Sequence, residues 1–158
     1  MMLLRANRSP DIDCTMGKFM SAPKILIIED SPADLQLLQH GLNQQGEPYE
    51  LVVLQDGEEA LHFIDQQRSG AKTQPCVIVL VLHLPKHTGV EVLRALRQDP
   101  ILTHVSVVVL TTLAAPMEEA EVRRIGAHFR EKPMGLDEFT ALAKFILDLC
   151  KSPSLARV

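Results

Sequence analysis

Glu29 and Asp30 stand side by side at the end of an apolar run, Lys24–Glu29 (KILIIE). A second run, Val105–Leu110 (VSVVVL), is followed by Thr111-Thr112, and the segment Ala127–Glu131 leads into Lys132-Pro133. Two adjacent acids at a buried strand end are costly unless something positive compensates them. A magnesium ion would serve, since it is usually held by one or two carboxylates plus waters, and so would a lysine. The run Cys76–Val81 ends differently, in a valine. Valine has no nucleophilic oxygen and no metal-ligating group.

Each of these residues also has a plainer reading. Glu29-Asp30 suits the acidic preference of a helix N-terminus, Thr111 is a β-branched strand residue, and Lys132 suits a solvated surface. His83, His87 and His104 lack partners at metal-ligand spacing, which favours solvated loop histidines.

The elements that must position these groups alternate along the chain. Lys24–Glu29, Glu50–Leu54, Cys76–Val81, Val105–Leu110 and Ala127–Glu131 read as five strands. Ser31-Pro32 is an N-cap with proline at the first helical position, and Leu35, Leu38 and Leu42 then recur at helical spacing. Further helices are expected at Gly57–Gln67, with Ala60, Leu61 and Ile64 inward, and at Val90–Arg97, Pro116–Arg124 and Gly135–Cys150. In the last, Phe139, Leu142, Ile146 and Leu149 form a core stripe, and Phe145 falls beyond its edge. Continuously apolar strands are buried on both faces, so they belong to a parallel sheet covered by helices. Ligands of such doubly wound α/β sheets bind outside the carboxyl ends of the strands.

Residues 23–150 are expected to form one domain, with 1–22 a flexible leader and 151–158 a tail too short for an output module. The net charge of 16 − 20 = −4 argues against a nucleic-acid surface. No apolar run reaches the roughly 18 residues that span a membrane. Cys14, Cys76 and Cys150 are widely spaced with no CxxC pair, so neither zinc nor a disulfide framework is signalled, and reduced thiols in the cytoplasm are the expectation.

The whole, from residue 24 to about 150, resembles a CheY-like receiver domain of two-component response regulators. The phrases DGEEAL (56–61), HLPKHTG (83–89) and VVLTT (108–112) make it similar to the small stand-alone receivers that pair with phytochrome-type histidine kinases. The resemblance implies a flavodoxin-like (βα)5 fold with strand order 2-1-3-4-5. It places Val81, four residues before Pro85 and eight before Gly89, where the family carries its phosphoacceptor aspartate. It implies an acidic metal pocket of Glu29 and Asp30 with the His83 carbonyl, Thr111 as the phosphate-binding hydroxyl, Lys132 as the neutralising cation, Pro133 after a cis bond, and Phe129 as the switch aromatic. Between Gly126-Ala127 and Phe129 the chain is one residue shorter than the usual pattern, and Phe129 fits a core position equally well.

On this reading the protein is a non-phosphorylatable pseudo-receiver and not an enzyme. No cofactor is required, and magnesium binding is expected to be weak. Lys132 then acts chiefly as a counter-charge to Glu29 and Asp30. The expected partners are a sensor histidine kinase or another regulator, or a second copy through the fourth helix, fifth strand and fifth helix, with no nucleic acid and no membrane. The rival is a working phosphoacceptor in a phosphorelay. It requires that Val81 is an introduced substitution or that another residue accepts the phosphoryl group.

Overall fold

A computed structural model describes residues 2–6, 22–67, 74–113 and 115–151. Six strands form one sheet: β1 (Met2–Ala6), β2 (Lys24–Ile28), β3 (Tyr49–Leu54), β4 (Val77–Val81), β5 (Ser106–Thr111) and β6 (His128–Glu131). Five helices connect them: α1 (Pro32–Gln44), α2 (Gly57–Gln67), α3 (Gly89–Gln98), α4 (Pro116–Arg124) and α5 (Leu136–Lys151). The sheet order is β1-β3-β2-β4-β5-β6. Strands β2 to β6 are all parallel, as βαβ crossovers require, and they reproduce the expected 2-1-3-4-5 order.

Strand residues point alternately to opposite faces, and the core divides accordingly. Leu26, Ile28, Ile78 and Leu80 join one cluster with residues of α2, α3 and α4. Ile25, Ile27, Val77, Val79 and Val81 join the other with α1 and α5. Within α2 the buried aromatic is Phe63, whereas Leu61 only packs against the cluster's edge.

Local chemistry starts each helix. The Asp34 amide donates to Ser31 Oγ at 3.4 Å, with Pro32 in the first turn of α1. Thr88 and Glu91 exchange hydrogen bonds in a capping box before α3. At two positions beside the loop after β4, close approach requires glycine. A Cβ on Gly89 would lie 2.7 Å from Leu82 Cα, and one on Gly57 would lie 2.4 Å from His87 Cβ. Both hold the loop after β4 tightly against its neighbours.

Three expectations need correction. Met2–Ala6 is not a flexible leader: it forms β1, antiparallel to β3 with Met2 opposite Val53 and Ala6 opposite Tyr49. Backbone pairing along the sheet edge satisfies donors and acceptors that β3 would otherwise expose. Residues 7–21, with Cys14, and the tail 152–158 lie outside the described residues. Second, Cys76 and Cys150 are not reduced thiols but a disulfide, their Cα atoms 5.1 Å apart. The fold brings together residues 74 positions apart, which no local spacing signals. Third, the Lys132–Pro133 bond is trans, and no cis peptide occurs among the described residues. The tertiary amide of an X–Pro bond leaves both isomers close in energy, so the dipeptide alone does not select one.

Candidate functional site

The carboxyl ends of the parallel strands gather the singled-out residues. Ile28 pairs with Leu80, so Glu29 follows β2 beside the end of β4. Val81 pairs with Leu110, and Thr111 pairs with Glu131 immediately before Lys132. The Lys132 amide donates to the Thr111 carbonyl at 2.8 Å, and the Glu29 amide to the Leu54 carbonyl at 3.0 Å. Strand pairing thus fixes the backbone of four site residues, Glu29, Val81, Thr111 and Lys132.

Lys132 Nζ lies 3.0 Å from Glu29 Oε2 and 2.7 Å from Asp34 Oδ2, and donates to Glu29 Oε1 at 3.1 Å. The Lys132 side chain is 11% exposed and that of Glu29 5%. Glu29 Oε1 also accepts from the Ser31 amide at 3.0 Å. Burial raises the Glu29 pKa, although the Ser31 amide and the Lys132 ammonium both work to lower it. Burial works to lower the Lys132 pKa, but hydrogen bonds and charge from Asp34 and Glu29 outweigh it and hold the group above its ordinary 10.5. A shared lysine that satisfies two carboxylates keeps a buried acid tolerable without a metal.

This arrangement corrects one sequence expectation. The second partner of Lys132 is Asp34, in the first turn of α1, and not Asp30. Asp30 is exposed and, with Glu29, Pro32, Leu35, Gln36, Gln39 and Gln55, lines a shallow hollow of about 220 Å³. Asp34 lies on a helix, where its sequence signal was that of a capping-turn acid.

Val81 ends β4 with 5% of its surface exposed, packed in the cluster beneath α1 and α5. Thr111, 2% exposed, closes a local turn: Oγ1 donates to the Leu113 carbonyl at 3.2 Å and accepts from the Leu113 amide at 3.3 Å. His83 is exposed but not simply solvated. Its Nε2 reaches the Leu113 carbonyl at 3.2 Å and stands 3.6 Å from Glu118 Oε2, linking the loop after β4 to the start of α4. His87 pairs with Glu91 at 3.2 Å in the same loop. Lys86, with φ of 69°, reaches back to Glu58 at 2.7 Å and Asp56 at 3.6 Å, so the loop is also fastened to the start of α2.

Phe129, on β6, is half-buried against the α2–α4 core, with the Arg123 guanidinium 5.6 Å above its ring. Phe145 is not bare. Arg130 lies 4.4 Å over its ring, and His128 meets it edge-on at 5.5 Å. Pro133 is half-buried.

As arranged, Lys132 engages both Glu29 and Asp34, the Val81 side chain contributes no oxygen, and the described residues bring together no group of three His, Cys, Asp or Glu side chains.

Five parallel strands of the six-stranded sheet, covered by helices on both faces and carrying acids and a lysine at their carboxyl ends, form a doubly wound domain of receiver type. The chain belongs to the response regulator receiver domain family, whose model matches residues 25–144. It is 44% identical over 99 residues to the response regulator Rcp1 of Synechocystis sp., covering 61% of this chain and 67% of that protein. The structure resembles that of the phosphorylated cyanobacterial phytochrome response regulator RcpA, with a TM-score of 0.74 and 31% identity over 84% of this chain and 96% of that one. It also resembles the Mn(2+)-bound form of Rcp1, with a TM-score of 0.69 and 32% identity over 78% and 91%. The protein is thus a receiver-domain response regulator related to those that serve phytochromes. No helix among the described residues is long and apolar enough to cross a membrane.

Proposed function

We propose that this receiver is a pseudo-receiver: it signals by docking to other proteins and takes no phosphoryl group at the usual position. The observation that carries this reading is the pairing of Lys132 with Glu29 and Asp34 beside the apolar end of β4. Val81 supplies no attacking oxygen, and the lysine that would neutralise a phosphoryl group is already satisfied by two carboxylates. Magnesium binding, which needs those same carboxylates, is weak. Thr111, buried, and Phe129, half-buried, then act as fixed structural parts of the domain.

The proposed partner is a phytochrome-type sensor histidine kinase or another cytoplasmic regulator. The relationship to RcpA and Rcp1 supports that class. Self-association uses α4, β6 and α5, where Arg130 and Phe145 form a cation–aromatic pair at the surface.

A phosphoacceptor role is favoured by one observation, the phosphorylated state of the related RcpA. Incubation with acetyl phosphate and magnesium, followed by intact mass measurement, separates the two. An unchanged mass is expected here, and an added phosphoryl group would sink the pseudo-receiver reading. Val81→Asp, treated in the same way, is expected to gain the adduct.

A further inference from the structure

We propose that Cys76 and Cys150 form a reversible thiol–disulfide site that fastens the end of α5 to the base of β4 when oxidised and releases it when reduced. The pair lies at the end of the sheet opposite the acid–lysine pocket. Cys76 immediately precedes β4, its amide donating to the Lys24 carbonyl at 2.9 Å, and Cys150 is the penultimate residue of α5. Their Cα atoms are 5.1 Å apart, inside the range of about 4.4–6.8 Å that a disulfide spans.

The fold explains why the link is releasable. Both cysteines are half-buried at the rim of the α1–α5 core cluster, within reach of a small thiol. The inner face of α5 is secured independently by Phe139, Leu142, Ala143, Ile146 and Leu147, all buried. Beyond these, the last turn is held by Leu149, by the disulfide, and by a Lys151–Glu47 ion pair too exposed to hold it alone. Opening the disulfide therefore frees the helix end and leaves the sheet and the remaining helices intact.

The chemistry balances as two exchanges with a low-molecular-weight disulfide such as oxidised glutathione. One cysteine thiolate attacks the glutathione disulfide, forming a mixed disulfide and expelling one glutathione thiolate. The second cysteine thiolate attacks the protein sulfur of that mixed disulfide and expels the other. The two protons lost by the cysteines go to the two glutathiones. Two protein thiols are oxidised and one glutathione disulfide is reduced, and a dithiol reverses the sequence.

The test uses the full chain carrying Cys14→Ser, so that the pair stands alone. Equilibration across reduced and oxidised glutathione, alkylation and intact mass measurement should give only two species, unlabelled and doubly labelled, interconverting reversibly. Accumulation of a glutathione adduct, or resistance of the unlabelled form to dithiol under native conditions, overturns the proposal. Hydrogen exchange should be at least about tenfold faster in the last turn of α5 after reduction, with the rest of α5, α1 and β4 unchanged. Equal rates in the two states overturn it, as does loss of protection throughout the protein. Cys150→Ser should show the fast rate with or without oxidant, and the slow rate in that variant would be equally fatal.

Discussion

Lys132 Nζ lies 2.7 Å from Asp34 Oδ2, tying the residue after β6 to the first turn of α1 across the mouth of the sheet. The same ammonium reaches Glu29 at 3.0 Å. A cation contributed by the protein itself therefore occupies the attention of two carboxylates in this pocket.

Removing that cation leaves Glu29 buried and uncompensated. Lys132→Met is expected to destabilise the protein by about 2–4 kcal/mol at pH 7, and Asp34→Asn, at the better-exposed partner, by about 1 kcal/mol. The folded pKa of Lys132 is raised, so its stabilisation is complete below 10.5 and is lost as pH rises through the higher folded value. Chemical denaturation between pH 9 and pH 12 should show a steeper fall for the wild type than for Lys132→Met. Parallel curves would refute the linkage.

Val81→Asp places a carboxylate at a position whose residue is only 5% exposed. Without metal the variant should lose about 2–4 kcal/mol. Magnesium should recover part of this in the variant and leave the wild-type melting temperature unmoved, because only the variant gains an oxygen at that position. A wild-type Tm that climbs with millimolar magnesium would contradict the weak-metal reading.

His128 should make stability fall in mild acid. Burial lowers its pKa below 6.5, and the charges of Arg130 and Arg97 lower it further. Its contribution is therefore present above 6.5 and is lost as pH drops from there toward the folded value. His128→Phe keeps an aromatic edge for Phe145 and removes the titration. Between pH 7.5 and pH 5 its stability curve should be flatter than that of the wild type. Equal slopes would show that the acid sensitivity comes from elsewhere.

If α4, β6 and α5 form the self-association face, Arg130→Glu should weaken it more than it affects folding. The substitution replaces the cation over Phe145 by a carboxylate, which the face of an aromatic ring does not attract. Multi-angle light scattering over a concentration series should show a dimer for the wild type and a monomer for the variant. A wild type that stays monomeric at the highest concentration ends the dimer proposal.

Much of this molecule was legible before any coordinates. A parallel sheet follows from runs such as Val77–Leu82, whose continuous apolarity only a doubly covered sheet can bury. Once those strands are parallel and adjacent, Glu29, Val81, Thr111 and Lys132 must share one end of the sheet, because each follows or ends a strand running in the same direction. What the sequence did not carry was the choice of partner. Asp30 adjoins Glu29 in the chain, but the turn into α1 leaves it exposed and brings Asp34 onto the lysine instead. The Cys76–Cys150 link and the pairing of Met2–Ala6 with β3 were equally silent. Hydrophobic periodicity is a local property, set by which face of an element must leave water. Contacts between side chains far apart in the chain depend on how whole elements are stacked and turned, and only the packed tertiary structure decides them.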